Sequence, residues 1–152
     1  VERGGREHVR IFPETAPMQA GNVIYDAESK RVRLIDLHRS HMTDYVQDVT
    51  VFLVSNYRLQ MFESKVRQRI EQVMLRFYEF ARNLAKREGD ATFEIRAALG
   101  LARSFGTSTR FVLDERLARS MFLRSRFLLE RIAALTPDKL TSFMLPQEVL
   151  RD

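Results

Sequence analysis

The sequence of 152 residues contains no cysteine, which excludes a disulfide scaffold, a thiolate zinc site and a cysteine nucleophile. Glycine and proline are also scarce, with six and four residues, while 45% of the residues are hydrophobic. This composition is typical of a folded chain with a buried core and argues against a disordered one. The length is that of one ordinary domain.

Long apolar runs are missing as well. The longest run, residues 49–54, contains Thr50 and is far shorter than the roughly 20 residues that a membrane-spanning helix needs. The first ten residues are polar and basic, without the apolar segment of a signal peptide. Together with the missing cysteines, these features predict a soluble, cytoplasmic protein with no membrane partner.

The net charge of +5 raises the question of nucleic acid, but the pattern of charges argues against it. Basic residues alternate with acidic ones along predicted helices, as in residues 67–72 (RQRIEQ) and 113–120 (LDERLARS). Such mixing is typical of solvated helix faces with ion pairs. Nucleic-acid binding is therefore the weakest of the functional hypotheses.

The N-terminal part of the chain predicts an irregular segment followed by a β-hairpin. Residues 1–17 contain four Gly or Pro breakers and are predicted to be irregular. Residues 22–26 are β-prone, residues 27–30 form a turn, and residues 31–36 alternate apolar and basic side chains as a half-buried strand does.

Everything after Asp44 is predicted to be helical. Thr43 or Asp44 can cap a first helix, and apolar residues at a period of 3.6 predict further helices at about 59–86, 93–108 and 114–135. One more helical turn is expected before Asp152. The methionine and phenylalanine stripes are predicted to be core. The fold class is therefore mainly α with a small β-hairpin (α+β), in a single domain over residues 1–152.

The functional residues are predicted around the hairpin, where Asp36, Asp44 and Asp48 surround Arg39. Asn22 stands just before the hairpin and Asp36 just after it, so the two side chains can converge at its open end. A carboxylate and a carboxamide oxygen are ligands that suit Mg²⁺. Phosphoryl transfer uses such a metal to neutralise charge on phosphate oxygens.

These residues resemble a known family. The run Ile35-Asp36-x-x-Arg39, with Asp44 and Asp48 beyond it, is similar to the metal-binding segment of aminoglycoside phosphotransferases and choline kinases in the protein-kinase-like superfamily. Residues 21–26 (GNVIYD) resemble the end of their catalytic loop. The resemblance spans about residues 18–56. It implies the C-terminal lobe of a kinase-like fold, with residues 18–48 as the metal-binding segment and 49–152 as a helical subdomain.

The resemblance also implies roles for individual residues. The expected partners are Mg²⁺, ATP and a small polar molecule whose hydroxyl accepts the phosphoryl group. Asn22 and Asp36 would be the metal ligands. Asp48 would be the buried anchor of the catalytic loop, and Arg39 and Asp44 would organise the site. His38 and Gln19 are expected to contact nucleotide or substrate. The simpler alternative is that His38 is an exposed loop residue without such a role.

The sequence departs from the family at its catalytic base. The family motif His-x-Asp-x-x-x-x-Asn puts the base at Pro17 and the histidine at Thr15, and neither residue can serve. An N-terminal lobe is also missing before Asn22. We therefore expect a fragment from which a segment ending in His-Gly-Asp before Met18 is omitted. A catalytically inactive relative is the alternative.

A non-catalytic helical binding or regulatory domain is the competing hypothesis. In that case the aspartates only cap helices and pair with Arg31, Arg33 and Arg39. The enzyme hypothesis is favoured by the joint spacing of five polar residues, because capping requires only one of them. These residues are Asn22, Asp36, Arg39, Asp44 and Asp48. A lone lobe would also expose the surface that its missing partner covers, which leaves self-association as an expectation.

Overall fold

Helices make up most of the chain that the structure describes. The computed structural model covers residues 11–15, 20–35 and 41–151, and for residues 11–15 and 41–43 it describes the backbone alone. The elements are β1 (Ile11–Thr15), β2 (Val23–Asp26), β3 (Arg31–Leu34), β4 (His41–Asp44), α1 (Tyr45–Tyr57), α2 (Ser64–Arg87), α3 (Phe93–Ser108) and α4 (Glu115–Ala133). Short 3₁₀ turns lie at Ala20–Asn22, Thr109–Phe111, Pro137–Lys139 and Gln147–Leu150. The prediction of a mainly α chain with a small β-hairpin is confirmed.

Strands β2 and β3 form the predicted hairpin. They pair antiparallel in a register that aligns Val23 with Leu34 and Asp26 with Arg31. The Asp26 carboxylate accepts hydrogen bonds from the backbone N–H groups of Glu28 and Ser29 and from the Ser29 hydroxyl. The bond from the Ser29 hydroxyl is the main reason why the pKa of Asp26 lies below its usual range. An Asx-type turn of this kind closes the hairpin without glycine.

Strands β1 and β4 form a second antiparallel pair, which the sequence did not predict. Ile11 lies opposite Asp44 and Thr15 opposite His41. The prediction that residues 1–17 are irregular is therefore wrong for β1. Pro13 suggested a break, but proline is tolerated on an edge strand and at irregular pairing, and the register of this pair shifts between Phe12 and Thr15.

Helix α3 matches its predicted bounds, while α2 and α4 are shorter than predicted. Residues 59–63 precede α2 as a linker, which Arg67 fixes by donating hydrogen bonds of 3.1 Å to the carbonyls of Tyr57 and Leu59. Gly89, with a φ of 70°, ends α2 as predicted. Helix α4 begins after Asp114, whose carboxylate accepts the Leu117 N–H at 2.7 Å. The described residues include no helix that is long and apolar enough to cross a membrane.

One hydrophobic core joins all four helices and the C-terminal segment. Its largest fully buried side chains include Leu53, Tyr57, Met74, Tyr78, Leu101, Phe105, Met121, Leu128 and Leu150. The prediction that the phenylalanine stripes are core is only partly right. Phe62, Phe80 and Phe122 are 61%, 60% and 57% exposed, and Phe127 is also exposed. The apolar stripes of α2 and α4 are wider than the surface with which these helices pack, so their edges face outward.

Helices α1 and α3 approach closely at Gly100. A Cβ atom at this position would lie 2.7 Å from Thr50 Oγ1, 2.8 Å from its Cγ2 and 3.2 Å from its Cβ. Thr50 is buried and its hydroxyl donates to the Gln47 carbonyl at 3.0 Å, so it cannot easily move aside. Glycine is therefore required here by packing and not by backbone conformation.

We expect Gly100→Ala to lower the free energy of unfolding by about 2 kcal/mol, because the added methyl group overpacks the contact with Thr50. Urea unfolding followed by circular dichroism measures the loss. Adding Thr50→Ala removes the two nearest atoms and should restore most of the lost stability. A stabilising Gly100→Ala, as helix propensity alone would give, would show that the two helices are less closely packed.

Candidate functional site

The open end of the β2–β3 hairpin is the centre of the candidate site. The backbone N–H of Ile35 donates a hydrogen bond of 3.0 Å to the carbonyl of Asn22, one position beyond the paired residues Val23 and Leu34. Asn22 and Ile35 are thus neighbours across the hairpin. Ile35 is the residue before Asp36 in the sequence, so the hairpin puts Asn22 beside the residue that precedes the second predicted metal ligand.

The turn that carries Asn22 is held on α1 by Ser55. The Ala20 N–H donates to the Ser55 hydroxyl at 2.8 Å, and this hydroxyl donates to the Phe52 carbonyl at 2.9 Å. Ser55 is buried, with a relative exposure of 6%. Because both bonds are made away from bulk water, they fix the 3₁₀ turn Ala20–Asn22 against a rigid helix. The sequence analysis did not single out Ser55.

Asp48 lies in the first turn of α1 and is buried, with a relative exposure of 9%. A carboxylate at this position interacts favourably with the positive end of the helix dipole. Burial of this carboxylate fits the expectation that Asp48 serves as an internal anchor and not as a solvated loop residue. The role in fixing the catalytic loop remains a prediction.

Asp44 connects β4, α1 and α3. Its carboxylate accepts the Val46 N–H at 3.0 Å as the N-cap of α1, and it also forms an ion pair with Arg96 on α3. The second terminal nitrogen of Arg96 pairs with Asp90, which precedes α3. The Tyr45 hydroxyl donates to the same Asp90 carboxylate at 2.6 Å. We call Asp44, Tyr45, Asp90 and Arg96 the Arg96 cluster.

Burial and hydrogen bonding shift the pKa values of Asp90 and Arg96 in opposite directions. Burial alone would raise the pKa of Asp90, but hydrogen bonds from Tyr45 and Arg96 outweigh it and leave this pKa below its usual range. Burial would lower the pKa of Arg96, yet its bonds to Asp44 and Asp90 raise it. Burial and the bond to Asp90 both raise the pKa of Tyr45. At pH 7 the Asp90 carboxylate and the Arg96 guanidinium are therefore charged and the Tyr45 phenol is neutral.

A groove of about 270 Å³ lies between α1 and α3, beside the Arg96 cluster. Its lining combines apolar and polar side chains from both helices: Asp44, Val46, Gln47, Thr50, Arg96, Leu99, Gly100, Arg103 and Ser104. Across the groove, Arg103 donates to the Gln47 side-chain oxygen at 3.2 Å. Gly100 and Thr50, which meet where the two helices approach most closely, both belong to this lining.

Several predicted site residues cannot be placed. Pro17, Gln19, Asp36, His38 and Arg39 lie outside the described residues, as does the bond between Pro17 and Met18. Of the predicted site residues with described side chains, Asp44 and Asp48 share the first turn of α1, and Asn22 lies at the open end of the hairpin. Within the part of the chain that the structure describes, no group of three or more acidic or histidine side chains could hold a metal ion.

The sequence analysis missed Ser55, Asp90 and Arg96. Each contacts a partner that is distant in the chain, at separations of 35 residues for Ala20–Ser55, 45 for Tyr45–Asp90 and 52 for Asp44–Arg96. Comparison of the chain with protein-family models, with curated proteins and with solved structures found no match.

Proposed function

We propose that this chain carries the metal-holding part of an ATP- and Mg²⁺-dependent phosphotransferase, arranged as the C-terminal lobe of a protein-kinase-like fold. The acceptor is a hydroxyl group of a small polar molecule. The observation that supports this proposal best is the hydrogen bond from Ile35 to Asn22, because it puts the residue before Asp36 directly beside Asn22. The burial of Asp48 and the fixed turn at Ala20 add to it.

The residues fit Mg²⁺ chemically. Asn22 offers a carboxamide oxygen and Asp36 a carboxylate, which leaves the remaining positions of an octahedral ion to phosphate oxygens and water. When bound, the ion neutralises charge that develops on the transferred phosphoryl group. The chain itself supplies preorganisation: the hairpin register puts Asn22 beside Ile35, the residue before Asp36, and α1 holds the turn Ala20–Asn22 through Ser55. Pro17, at the expected base position, has no side-chain acceptor, so no residue of the sequence is assigned as the base.

Mn²⁺ binding to the purified chain tests the proposal, because this ion replaces Mg²⁺ and broadens nearby NMR signals. We expect broadening of the backbone amides of Asn22, Leu34 and Ile35, and loss of this effect in Asp36→Asn. The matched control is Asp26→Asn, the same substitution at the other end of the same hairpin. Its amide side chain can still accept the turn hydrogen bonds, so broadening at Asn22 should persist.

Two outcomes would overturn the metal assignment. One is broadening that persists in Asp36→Asn, and the other is an absence of broadening at the open end of the hairpin. In either case the competing function is a helical binding domain. That alternative has support from Asp44, whose carboxylate is already used by the Val46 N–H and by Arg96 in capping and pairing.

A further inference from the structure

Of the two arginines that line the groove between α1 and α3, Arg103 is the one without a carboxylate partner among the described residues. Arg96 is paired with two carboxylates, whereas Arg103 has a single hydrogen bond to the neutral side chain of Gln47. No carboxylate among the described residues forms an ion pair with Arg103. The guanidinium therefore keeps most of its five N–H donors available to a ligand.

The carboxylate in the groove lining, by contrast, is already used. Asp44 accepts the Val46 N–H and pairs with Arg96, so it has little capacity for a ligand cation. Asp90 forms an ion pair with the second terminal nitrogen of Arg96. Among the charged side chains that line the groove, the one carboxylate of Asp44 faces the two guanidinium groups of Arg96 and Arg103, so their charges sum to +1. This balance does not suit a polycationic ligand such as an aminoglycoside, which needs uncompensated carboxylates.

The other lining residues provide a small mixed surface. Gln47 and Ser104 carry polar groups close to Arg103, and Val46 and Leu99 add apolar contact. Leu99 is 45% exposed, so it is open to a ligand in the groove. A volume of about 270 Å³ fits a molecule of a few carbon atoms better than a nucleotide or a peptide.

Helix α1 links the groove to the candidate metal site. Thr50 lines the groove and Ser55 holds the turn before Asn22. Five residues separate the two, which corresponds to roughly 7.5 Å along the helix axis and about 140° around it. The groove and the turn before Asn22 therefore lie on different faces of the same helix.

We propose that this groove binds a small hydroxylated anion. Arg103 binds its carboxylate or phosphate group, Gln47 and Ser104 form hydrogen bonds with its hydroxyl groups, and Leu99 packs against its carbon atoms. This inference goes beyond the proposed phosphotransferase function, and the anion site can be tested without metal or nucleotide.

The test uses the chain without Mg²⁺ or ATP and follows NMR signals of Val46, Leu99, Arg103 and Ser104. The probes are glycerate and glycerol 1-phosphate as hydroxylated anions, glycerol as the neutral analogue and ethanolamine as the cationic one. We expect saturable shifts at these four residues with one or both anions, and none with glycerol or ethanolamine. Response to only one anion identifies whether a carboxylate or a phosphate is recognised.

Two variants and a control make the test specific. Arg103→Gln should weaken anion binding at least tenfold by removing a charge-assisted bond, roughly the effect of such a bond on affinity. Leu99→Glu, at an exposed helix position, should abolish it by repulsion. The control Arg119→Gln replaces an exposed arginine of α4 and should leave binding unchanged.

The proposal fails if the anions give no saturable shifts at the groove, if ethanolamine binds better than they do, or if Arg103→Gln binds as the parent does. Failure here with Mn²⁺ still bound at Asn22 would remove the anion site and leave the metal site intact. Anion binding without Mn²⁺ binding would retain the groove as an anion site and remove the phosphotransferase function.

Discussion

Replacing Glu94 with alanine is expected to lower the free energy of unfolding by about 3 kcal/mol, one of the two largest effects that the structure predicts. Glu94 lies in the first turn of α3. Its carboxylate accepts hydrogen bonds from the Tyr78 hydroxyl at 2.5 Å and the Leu145 N–H at 2.9 Å, and it forms an ion pair with Arg82 Nε at 2.8 Å. Its side chain is only 14% exposed. Removing it leaves a largely buried guanidinium and two buried donors without their acceptor.

Urea unfolding at pH 7 measures this loss. The matched control is Glu79→Ala, at an exposed position of α2, which should change stability by less than about 0.5 kcal/mol. Glu94→Gln keeps an acceptor oxygen for Tyr78 or Leu145 but removes the charge, so we expect an intermediate loss. A Glu94→Ala variant as stable as Glu79→Ala would show that these contacts contribute little to folding.

Glu94 matters beyond its own contacts because it joins three parts of the chain. Tyr78 and Arg82 belong to α2, Glu94 to α3, and Leu145 to the segment that leads to the last 3₁₀ turn. Burial and the Glu94 hydrogen bond both raise the pKa of Tyr78, so the phenol remains a donor across the whole neutral range. The sequence analysis assigned this region only to helix and tail and gave Glu94 no role.

The parts of the fold that depend on local chemistry could be predicted from the sequence. The hairpin β2–β3 follows from alternating side chains and from a turn that Asp26 closes by itself, and α3 follows from a regular apolar period. The pairing of β1 with β4 could not be predicted, because it joins residues about thirty positions apart and includes a proline. Strand pairing over such distances has no local sequence pattern.

In the candidate site, too, local features could be predicted from the sequence and contacts between distant residues could not. The approach of Asn22 to the residue before Asp36 was predictable, because a hairpin returns the chain to its start. The use of Asp44 as an N-cap was predictable from its residue type. Its partner was not: the sequence hypothesis paired the aspartates with nearby arginines, whereas Asp44 pairs with Arg96, which belongs to another helix. Only the packing of α1 on α3 brings these charges together.

Replacing Arg96 with methionine should have an effect as large as the loss of Glu94, about 3 kcal/mol at pH 7. Methionine keeps the length of the side chain and its packing but removes the cation that lies between Asp44 and Asp90. Two carboxylates then share a partly buried region without a counter-charge, and the N-cap of α1 is strained by their repulsion. The same change would expose uncompensated Asp44 to the groove.

The loss should depend on pH in a defined direction. The pKa of Asp90 is lowered in the folded parent, so this group contributes stability above its unfolded pKa, about 3.9, and that contribution disappears as pH falls through the folded pKa. In Arg96→Met the hydrogen bond and the charge of Arg96 that lower the pKa of Asp90 are gone, so Asp90 takes up a proton at higher pH. The stability difference between parent and variant should therefore be full above about pH 5 and shrink as the pH approaches about 3.

Urea unfolding of both proteins at several pH values between these limits measures the difference. Arg126→Met is the matched control, because Arg126 forms an exposed pair with Glu130 one turn along α4, and its loss should cost less than about 0.5 kcal/mol at every pH. A loss in Arg96→Met that is equally large at low pH would mean that methionine disturbs packing and that charge plays little part. A loss as small as that of the control would mean that Asp44 caps α1 without help from α3, and the groove would then lose the charge balance on which its preference for anions depends.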